Sequence, residues 1–234
     1  MQVIDIVPIR NLSLMEDQRM AMFLTHLVQK YPGYAQYASA FSGYKILDNS
    51  LIEVGDALDI MAVHDAAVQI TADELILPDV FRKGEATYKE VEKALEFYRN
   101  GSLEKKHKFM AVCQGKDPAE FAWCFAKLKA LEEIDVIGIP KVCAKMLPEG
   151  RPGFEWLWQQ DCTKEIHLLG LWYSYEELAR YRHPEKIRSM DTCLASFFAK
   201  HNLGWNGMRP DGFTVNLEED VISGRAFQEC RFYR

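Results

Sequence analysis

Four short apolar segments of this chain each end on a polar side chain that could take part in chemistry. They are Ile46–Asp48, Leu75–Asp79, Met110–Gln114 and Ile187–Asp191. Breaking the bond between a sugar and a base builds positive charge on the sugar, which one carboxylate can stabilise or capture covalently. A second acid–base group then serves the departing base. Asp191 suits the first role and Asp48 suits the second.

Asp79 and Gln114 have side chains suited to recognising a base. The Asp79 carboxylate can accept hydrogen bonds from a guanine-like N–H edge, and the Gln114 amide can donate to a carbonyl oxygen. Adenine presents the opposite donor and acceptor pattern, so this pair would reject it. Each residue also has a simpler interpretation, because an aspartate after a strand often caps the next helix. The equivalent positions of these residues and of Asp48 and Asp191 favour one shared site.

The elements that must position these side chains alternate along the chain. Strands are predicted at 2–8, 45–48, 74–78, 109–114, 134–139, 165–171 and 187–190, and an eighth is expected near 214–217. Helices are expected between them, including one over 13–30. This alternation with short links predicts βα units around a parallel sheet. We therefore expect an α/β fold, a single-domain (β/α)8 TIM-type barrel over 1–234, with its chemistry at the carboxyl ends of the strands.

The composition is that of an ordinary globular protein. Of 234 residues, 48% are hydrophobic and 26% are charged, and no apolar run approaches the length of a membrane span. The N-terminus carries no basic region followed by an apolar stretch, so we expect a cytoplasmic protein without membrane contact. The six cysteines are scattered and none forms a CxxC pair. The sequence therefore predicts no metal site and no cofactor.

The net charge of −6 excludes a globally basic nucleic-acid-binding protein. Contact with phosphates would have to come from a local patch. Two basic runs are candidates, Lys105–Lys108 and the run before Asp191. The second run contains the predicted nucleic-acid-binding residues Arg180, Arg182, Lys186 and Arg188. A solvated surface is the alternative interpretation of the same run.

The ordered set of motifs resembles the tRNA-guanine transglycosylase superfamily, and most closely its short, phage-type branch that inserts 7-deazaguanines into DNA. The matching segments are Ile46–Ser50, Leu75–Asp79, Val112–Gly115, His167–Gly170 and Ser189–Thr192. The resemblance covers roughly residues 44–195. It implies a TIM barrel that exchanges guanine for a free 7-deazaguanine base without energy input.

The resemblance also implies roles for individual residues. Asp191 would be the nucleophile that forms a covalent glycosyl intermediate, and Asp48 the general acid–base. Asp79, Gln114 and Gly115 would recognise the base. Such a protein is a pentosyltransferase with DNA and a free base as its partners, and a phage-encoded one would act in the host cytoplasm.

Two departures from the family pattern bear on the substrate. The tRNA enzymes carry a cysteine-rich zinc subdomain after the nucleophile, which this chain lacks, so DNA is favoured over tRNA. Where the family has Gly-Gly after the fifth strand, this chain has Ile139-Pro140-Lys141. Proline removes a backbone donor, so the base contact there is expected to differ. Lys141 could contact a phosphate or a carbonyl oxygen, or could be a surface lysine.

Three other functions remain open at this point. A DNA glycosylase would use the same carboxylates and let water resolve the intermediate. A tRNA-guanine transglycosylase would keep the chemistry and change the polymer. A catalytically silent nucleic-acid-binding barrel would use the basic run alone. A partner protein or a second copy of the chain could supply the positive surface that this acidic chain lacks.

Overall fold

The chain folds into a barrel of eight parallel strands with helices between them. A computed structural model describes residues 1–159, 161–171, 173–204 and 214–231. The strands are β1 (Gln2–Asp5), β2 (Met20–Leu24), β3 (Tyr44–Asp48), β4 (Glu74–Ile76), β5 (Lys108–Val112), β6 (Val136–Pro140), β7 (Glu165–Leu169) and β8 (Ile187–Thr192). Their order in the sheet is β1-β8-β7-β6-β5-β4-β3-β2, and every hydrogen-bonded pair is parallel. The predicted (β/α)8 TIM-type fold is confirmed.

Helices of different lengths connect the strands. The α-helices in the described ranges are α1 (Thr25–Lys30), α2 (Pro32–Ala40), α3 (Leu51–Val54), α4 (Ile60–Ile70), α5 (Gly84–Arg99), α6 (Pro118–Lys129), α7 (Trp156–Gln159), α8 (Leu194–His201) and α9 (Gly224–Cys230). Short 3-10 helices occupy Ile9–Met15, Lys141–Lys145, Arg151–Phe154, Tyr175–Arg180 and Pro184–Lys186. None of the helices in these ranges has the length and apolar composition that crossing a bilayer requires.

The position of one strand differs from the prediction. The expected helix over 13–30 is wrong, because Met20–Leu24 forms β2 within it. The expected strand near 214–217 is also wrong, since this segment contains no strand. The run Met-Ala-Met-Phe-Leu is apolar throughout, and a strand buried on both faces cannot be distinguished from a buried helix by periodicity.

Two apolar layers result from the alternation of side chains along the strands. One layer fills the barrel interior with Ile4, Met22, Ile46, Ile76, Met110, Val112 and Val136. The other layer lies between the strands and the surrounding helices, and it contains most of the remaining buried apolar residues. The interior is thus a packed core at its centre, and polar chemistry is restricted to its two ends.

The barrel is closed by a side chain at one of its eight junctions. β1 and β2 lie side by side at the two ends of the strand order and share no backbone ladder. Gln18 fills this gap, since its Oε1 accepts from the Asp5 backbone N–H and its Nε2 donates to the Asp5 carbonyl, both at 2.9 Å. Gln18 is buried, so its amide substitutes for a missing strand partner.

A β-bulge in β8 determines which of its residues face the interior. Ile166 pairs with Ile187, but His167 pairs with Ser189, so Arg188 is an extra residue in the ladder. One extra residue reverses the alternation of side chains beyond it. As a result Asp191 pairs with the inward-facing Ile4 of β1 and faces the barrel interior.

Arg188 closes the amino-terminal end of the barrel. Its guanidinium binds Glu74 through two hydrogen bonds of 2.7 and 3.0 Å, and the Tyr44 hydroxyl donates to the same carboxylate at 2.8 Å. Glu74 is fully buried. A second carboxylate, that of Glu165, lies 3.2 Å from Arg188. The buried charge of Glu74 is therefore compensated by a well-aligned cation and a hydroxyl donor.

Candidate active site

Asp191 lies near the carboxyl end of β8 with 7% of its surface exposed. Its Oδ1 accepts a hydrogen bond from the Gly170 backbone N–H and contacts His167 Nε2, both at 3.1 Å. Within the described part of the chain, Oδ2 has no hydrogen-bond partner. One oxygen is therefore held in place, and the other is available to a reacting atom.

The tautomer of His167 follows from its neighbours. The fully buried ring contacts Ser189 Oγ through Nδ1 at 2.8 Å, and Arg188 Nε donates to the same hydroxyl at 3.1 Å. The hydroxyl can then donate to Nδ1, which leaves the ring proton on Nε2, directed at Asp191. A neutral imidazole satisfies every contact in this chain of hydrogen bonds. His167 therefore orients the Asp191 carboxylate.

Two features of the structure explain the glycine at position 170. Its backbone φ of +67° lies in the left-handed region, and a Cβ would lie 2.9 Å from Lys141 Cδ. Its N–H binds Asp191, so the position of this turn determines where the carboxylate is held. The Lys141 side chain passes over the turn, and its predicted contact with substrate stays a prediction.

Arg151 stabilises the turn at Gly170 by binding backbone carbonyl groups. It is fully buried, and its Nη atoms donate to the carbonyl oxygens of Ile139, Leu169 and Gly170 at 2.9, 3.1 and 2.8 Å. Its charge is balanced by Glu177 at 2.7 Å. These carbonyl groups stand at the ends of β6 and β7, where the ladders stop. Arg151 thus satisfies backbone acceptors that the barrel leaves open.

Asp48 ends β3 at the same face of the barrel. Its Oδ1 accepts from the Ser50 backbone N–H at 2.6 Å. Burial raises the pKa of Asp48 well above its ordinary value, and the neighbouring charges of Glu53, Asp191 and Asp79 raise it further. A raised pKa keeps a proton on a carboxyl group towards neutral pH, which a general acid requires.

Glu53 is an additional carboxylate at the barrel mouth, on the short helix α3. The pKa of Glu53 is raised by loss of water around the carboxyl and by the charge of Asp191, while Lys141 opposes the shift. Four acidic side chains, those of Asp48, Glu53, Asp79 and Asp191, thus influence one another electrostatically at this end of the barrel. A like charge nearby disfavours ionisation, which adds to the effect of burial on the pKa values of Asp48 and Glu53.

Asp79 and Gln114 bind each other directly. Gln114 Nε2 donates to Asp79 Oδ2 at 2.7 Å, and Asn49 Nδ2 donates to Oδ1 at 2.7 Å. All three side chains are buried. Burial raises the pKa of Asp79 to about 6, against the two amide hydrogen bonds, which lower it. Gln114 Oε1 accepts from the Arg82 backbone N–H at 2.9 Å, so a base could engage only the remaining N–H and lone pairs of this network.

Gly115 has a packing role. A Cβ at this position would lie 2.6 Å from the Phe121 backbone nitrogen and 2.8 Å from its Cα. The loop after β5 therefore approaches α6 too closely for any side chain. The predicted contact of Gly115 with a base stays a prediction, but this packing explains the glycine without it.

The predicted basic run does not form one surface. Arg188 is wrong as a phosphate contact, because it is bound to Glu74 at the opposite end of the barrel. Lys186 is exposed but directly precedes β8, so it too lies at the amino-terminal end. Arg182 is exposed, and Arg180 donates to the Glu149 carbonyl at 2.5 Å. A role for Arg180 or Arg182 stays a prediction.

Sequence reasoning missed three side chains of this region. His26 follows β2, and its Nδ1 lies 2.9 Å from Ser50 Oγ; burial lowers the pKa of the ring. Asn49 and His167 lie in segments that match the family pattern, but the sequence gives neither side chain a role of its own. A histidine two residues after an apolar run would have suggested His26 if the run had been interpreted as a strand.

Comparison with models of protein families and with curated protein sequences finds no match for this chain. Within the described ranges, no three His, Cys, Asp or Glu side chains are grouped so that they could hold a metal ion.

Proposed function

We propose that this chain is a base-exchanging transglycosylase that replaces guanine in DNA by a 7-deazaguanine base. The observation that carries the proposal is the contrast between two carboxyl groups at one barrel mouth. Asp191 is aimed by His167 and Gly170 with one oxygen unoccupied, and Asp48 has a raised pKa beside it. A positioned carboxylate with a free oxygen suits a nucleophile, and a carboxyl group with a raised pKa suits a general acid.

In the first half of the proposed reaction, Asp191 Oδ2 forms a bond to C1′ of the deoxyribose as the bond from C1′ to the guanine nitrogen breaks. The electron pair of the broken bond leaves with guanine, and the proton of Asp48 neutralises it. A covalent glycosyl ester results, with Asp48 now ionised. No redox partner or metal is needed for this step.

In the second half, the incoming base attacks C1′ and displaces the Asp191 carboxylate. Asp48 accepts the proton that the attacking nitrogen loses, which restores the starting state of both residues. Water in place of the base would give hydrolysis. The resemblance to the phage-type branch supports exchange, and an enzyme with this substrate would act in the cytoplasm.

Base selection is assigned to Asp79 and Gln114. Their mutual hydrogen bond and their contacts with Asn49 and Arg82 fix both side chains before a base arrives. A polar site fixed in this way discriminates by leaving its own groups unpaired when the wrong base binds. The target nucleotide must leave the base stack, because the barrel mouth cannot reach a paired base.

The first prediction concerns the nucleophile. Asp191→Ala should abolish covalent trapping of DNA and lower guanine exchange at least a thousandfold, as removal of a nucleophile does in other covalent enzymes. The assay follows release of label from guanine-labelled DNA, and in parallel from labelled tRNA, with and without 7-deazaguanine bases. Asp65→Ala, an exposed acidic residue on α4, is the matched control and should leave exchange unchanged.

The outcomes of this assay separate the candidate functions. Label released only when a replacement base is present supports exchange and identifies the polymer. Release without a base, with alkali-labile sites left behind, would identify a glycosylase. Binding without release from either polymer would identify a silent module. Full exchange by the Asp191→Ala protein would refute the mechanism.

A further inference from the structure

A groove beside the proposed base site combines an exposed aromatic ring with unpaired cations. It lies between the loop after β4 and the loop after β5, with a volume of about 500 Å³. The residues that line it include Phe81, Arg82, Lys83, Lys89 and Lys116. The Phe81 side chain is 44% exposed.

The charge in this groove is positive although the chain is acidic. Two carboxylates, those of Glu85 and Glu120, line the groove together with four cations: Arg82, Lys83, Lys89 and Lys116. Among the residues that the structure describes, none of these four cations forms an ion pair.

Glu120 lines the groove, but its carboxylate oxygens are bound to backbone donors. Its Oε1 accepts from the Gly84 backbone N–H at 2.7 Å, and its Oε2 accepts from the Lys116 backbone N–H at 3.0 Å. This carboxylate is therefore committed to the backbone of the two loops. The field of the lysine and arginine side chains remains available to an anion in solvent.

The loop that carries Phe81 is held rigidly and is tied to the base site. Its Val80 N–H and carbonyl both bind the Thr87 hydroxyl, at 2.9 and 3.1 Å. One residue beyond Phe81, the Arg82 N–H binds Gln114 Oε1 at 2.9 Å. A ligand in the groove would therefore lie directly beside the residues assigned to base selection.

We propose that this groove binds a single-stranded segment of nucleic acid, with Phe81 stacked on an unpaired base and Lys89 and Lys116 contacting phosphates. An aromatic platform flanked by cations is how proteins bind single strands without reading their sequence. A duplex fits less well, because its base faces are covered. The inference adds a docking surface to the proposed function and rests on that function for its biological role.

The test uses the full chain and fluorescence anisotropy with a labelled 20-nucleotide strand, offered as DNA, as RNA and as duplex DNA. Phe81→Ala should weaken single-strand binding roughly fivefold or more and change duplex binding little. Lys89→Glu with Lys116→Glu should weaken binding and reduce the magnitude of the log–log salt slope by roughly 0.7 for each lost contact. The DNA and RNA arms identify the polymer.

The control is Arg19→Glu with Arg225→Glu, which reverses two exposed cations that do not line the groove. It should bind within twofold of the unaltered protein. Equal binding by all variants would refute the proposed role of the groove in binding, even if guanine exchange proceeds. Absence of single-strand binding, or equal displacement by polyglutamate, would overturn it as well. Groove-dependent binding without any base release would preserve the groove and refute the proposed function.

Discussion

At the scale of single residues, His167 determines the direction of the Asp191 carboxylate. His167→Ala removes the Nε2–H donor and leaves the Gly170 N–H as the remaining contact of Asp191 Oδ1, so the carboxylate can rotate. A misplacement of about 1 Å can cost roughly a hundredfold in rate. We expect kcat to fall by about that factor with little change in KM for DNA.

A conservative variant distinguishes positioning from mere stability. His167→Gln retains an N–H donor that can reach Asp191 and should recover part of the lost kcat. Steady-state kinetics of both variants, with thermal melts to compare their stability, provide the measurement. Equal kcat for all three proteins would contradict the positioning role.

Asp48→Asn should have opposite effects on stability and on activity. The folded state raises the pKa of Asp48, so folding favours its protonated form, and the fold loses stability as the pH rises above the unfolded value of about 3.9. An amide keeps the acceptor for Ser50 and has no charge. We therefore expect Asp48→Asn to abolish exchange and to be more stable than the unaltered protein at pH 8.

The size of this effect should depend on pH. A gain of about 1 kcal/mol corresponds to a rise in Tm of about 2–4 °C for a domain of this size. The gain should shrink towards pH 4, where the carboxyl of the unaltered protein is protonated. Calorimetry at pH 4, 6 and 8 measures this gain in stability. A gain that did not change with pH would show that the ionised Asp48 carboxylate does not destabilise the fold.

The sequence could predict that the four polar residues share one end of the barrel, because residues after successive parallel strands necessarily do so. It could not predict that Asp79 and Gln114 bind each other, since that depends on the reach of both side chains across neighbouring strands. It also could not predict the direction of Arg188, which depends on a bulge that leaves no periodic signal.

At the scale of elements, the bulge in β8 and the Arg188–Glu74 pair form one unit. Glu74→Leu leaves Arg188 without its buried partner and should lower the free energy of unfolding by roughly 3–5 kcal/mol. The double variant Glu74→Leu with Arg188→Met removes both charges and should recover most of that loss. Denaturant unfolding measures both proteins.

A surface pair provides the control for this experiment. Lys93 and Glu90 lie 3.5 Å apart on α5 with largely exposed side chains, so Lys93→Met should cost less than about 1 kcal/mol. If the double variant were as unstable as Glu74→Leu alone, the pair would be needed for more than charge compensation, for example to hold the bulge.

The incorrect prediction of a helix where β2 lies concerns a single element. The segments that were predicted correctly have turn residues or polar ends, whereas Met20–Leu24 passes directly into α1 without such a signal. A strand followed at once by a helix looks like one long helix when no turn residue separates them. Only the requirement for an eighth strand in a closed barrel could have corrected this interpretation.

At the scale of the whole molecule, the junction between β1 and β2 is closed by the Gln18 side chain and not by a backbone ladder. Gln18→Ala would leave the buried N–H and carbonyl of Asp5 without partners, at a cost of about 1–3 kcal/mol for each. We expect faster hydrogen exchange at the Asp5 amide and a lower Tm. Gln36→Ala, at an exposed position on α2, is the control and should change neither quantity. Unchanged exchange at Asp5 would mean that β1 is held by β8 alone.

The pairing of β1 has a consequence for synthesis. Of the eight strands of the barrel, β1 is synthesised first, but within the described residues its backbone ladder is with β8, which ends at Thr192. At about 5–20 residues per second, roughly ten to forty seconds pass before that partner exists. Until then, the nascent chain carries β1 without its ladder partner. Chaperone demand during translation should therefore be highest just before the β8 segment emerges.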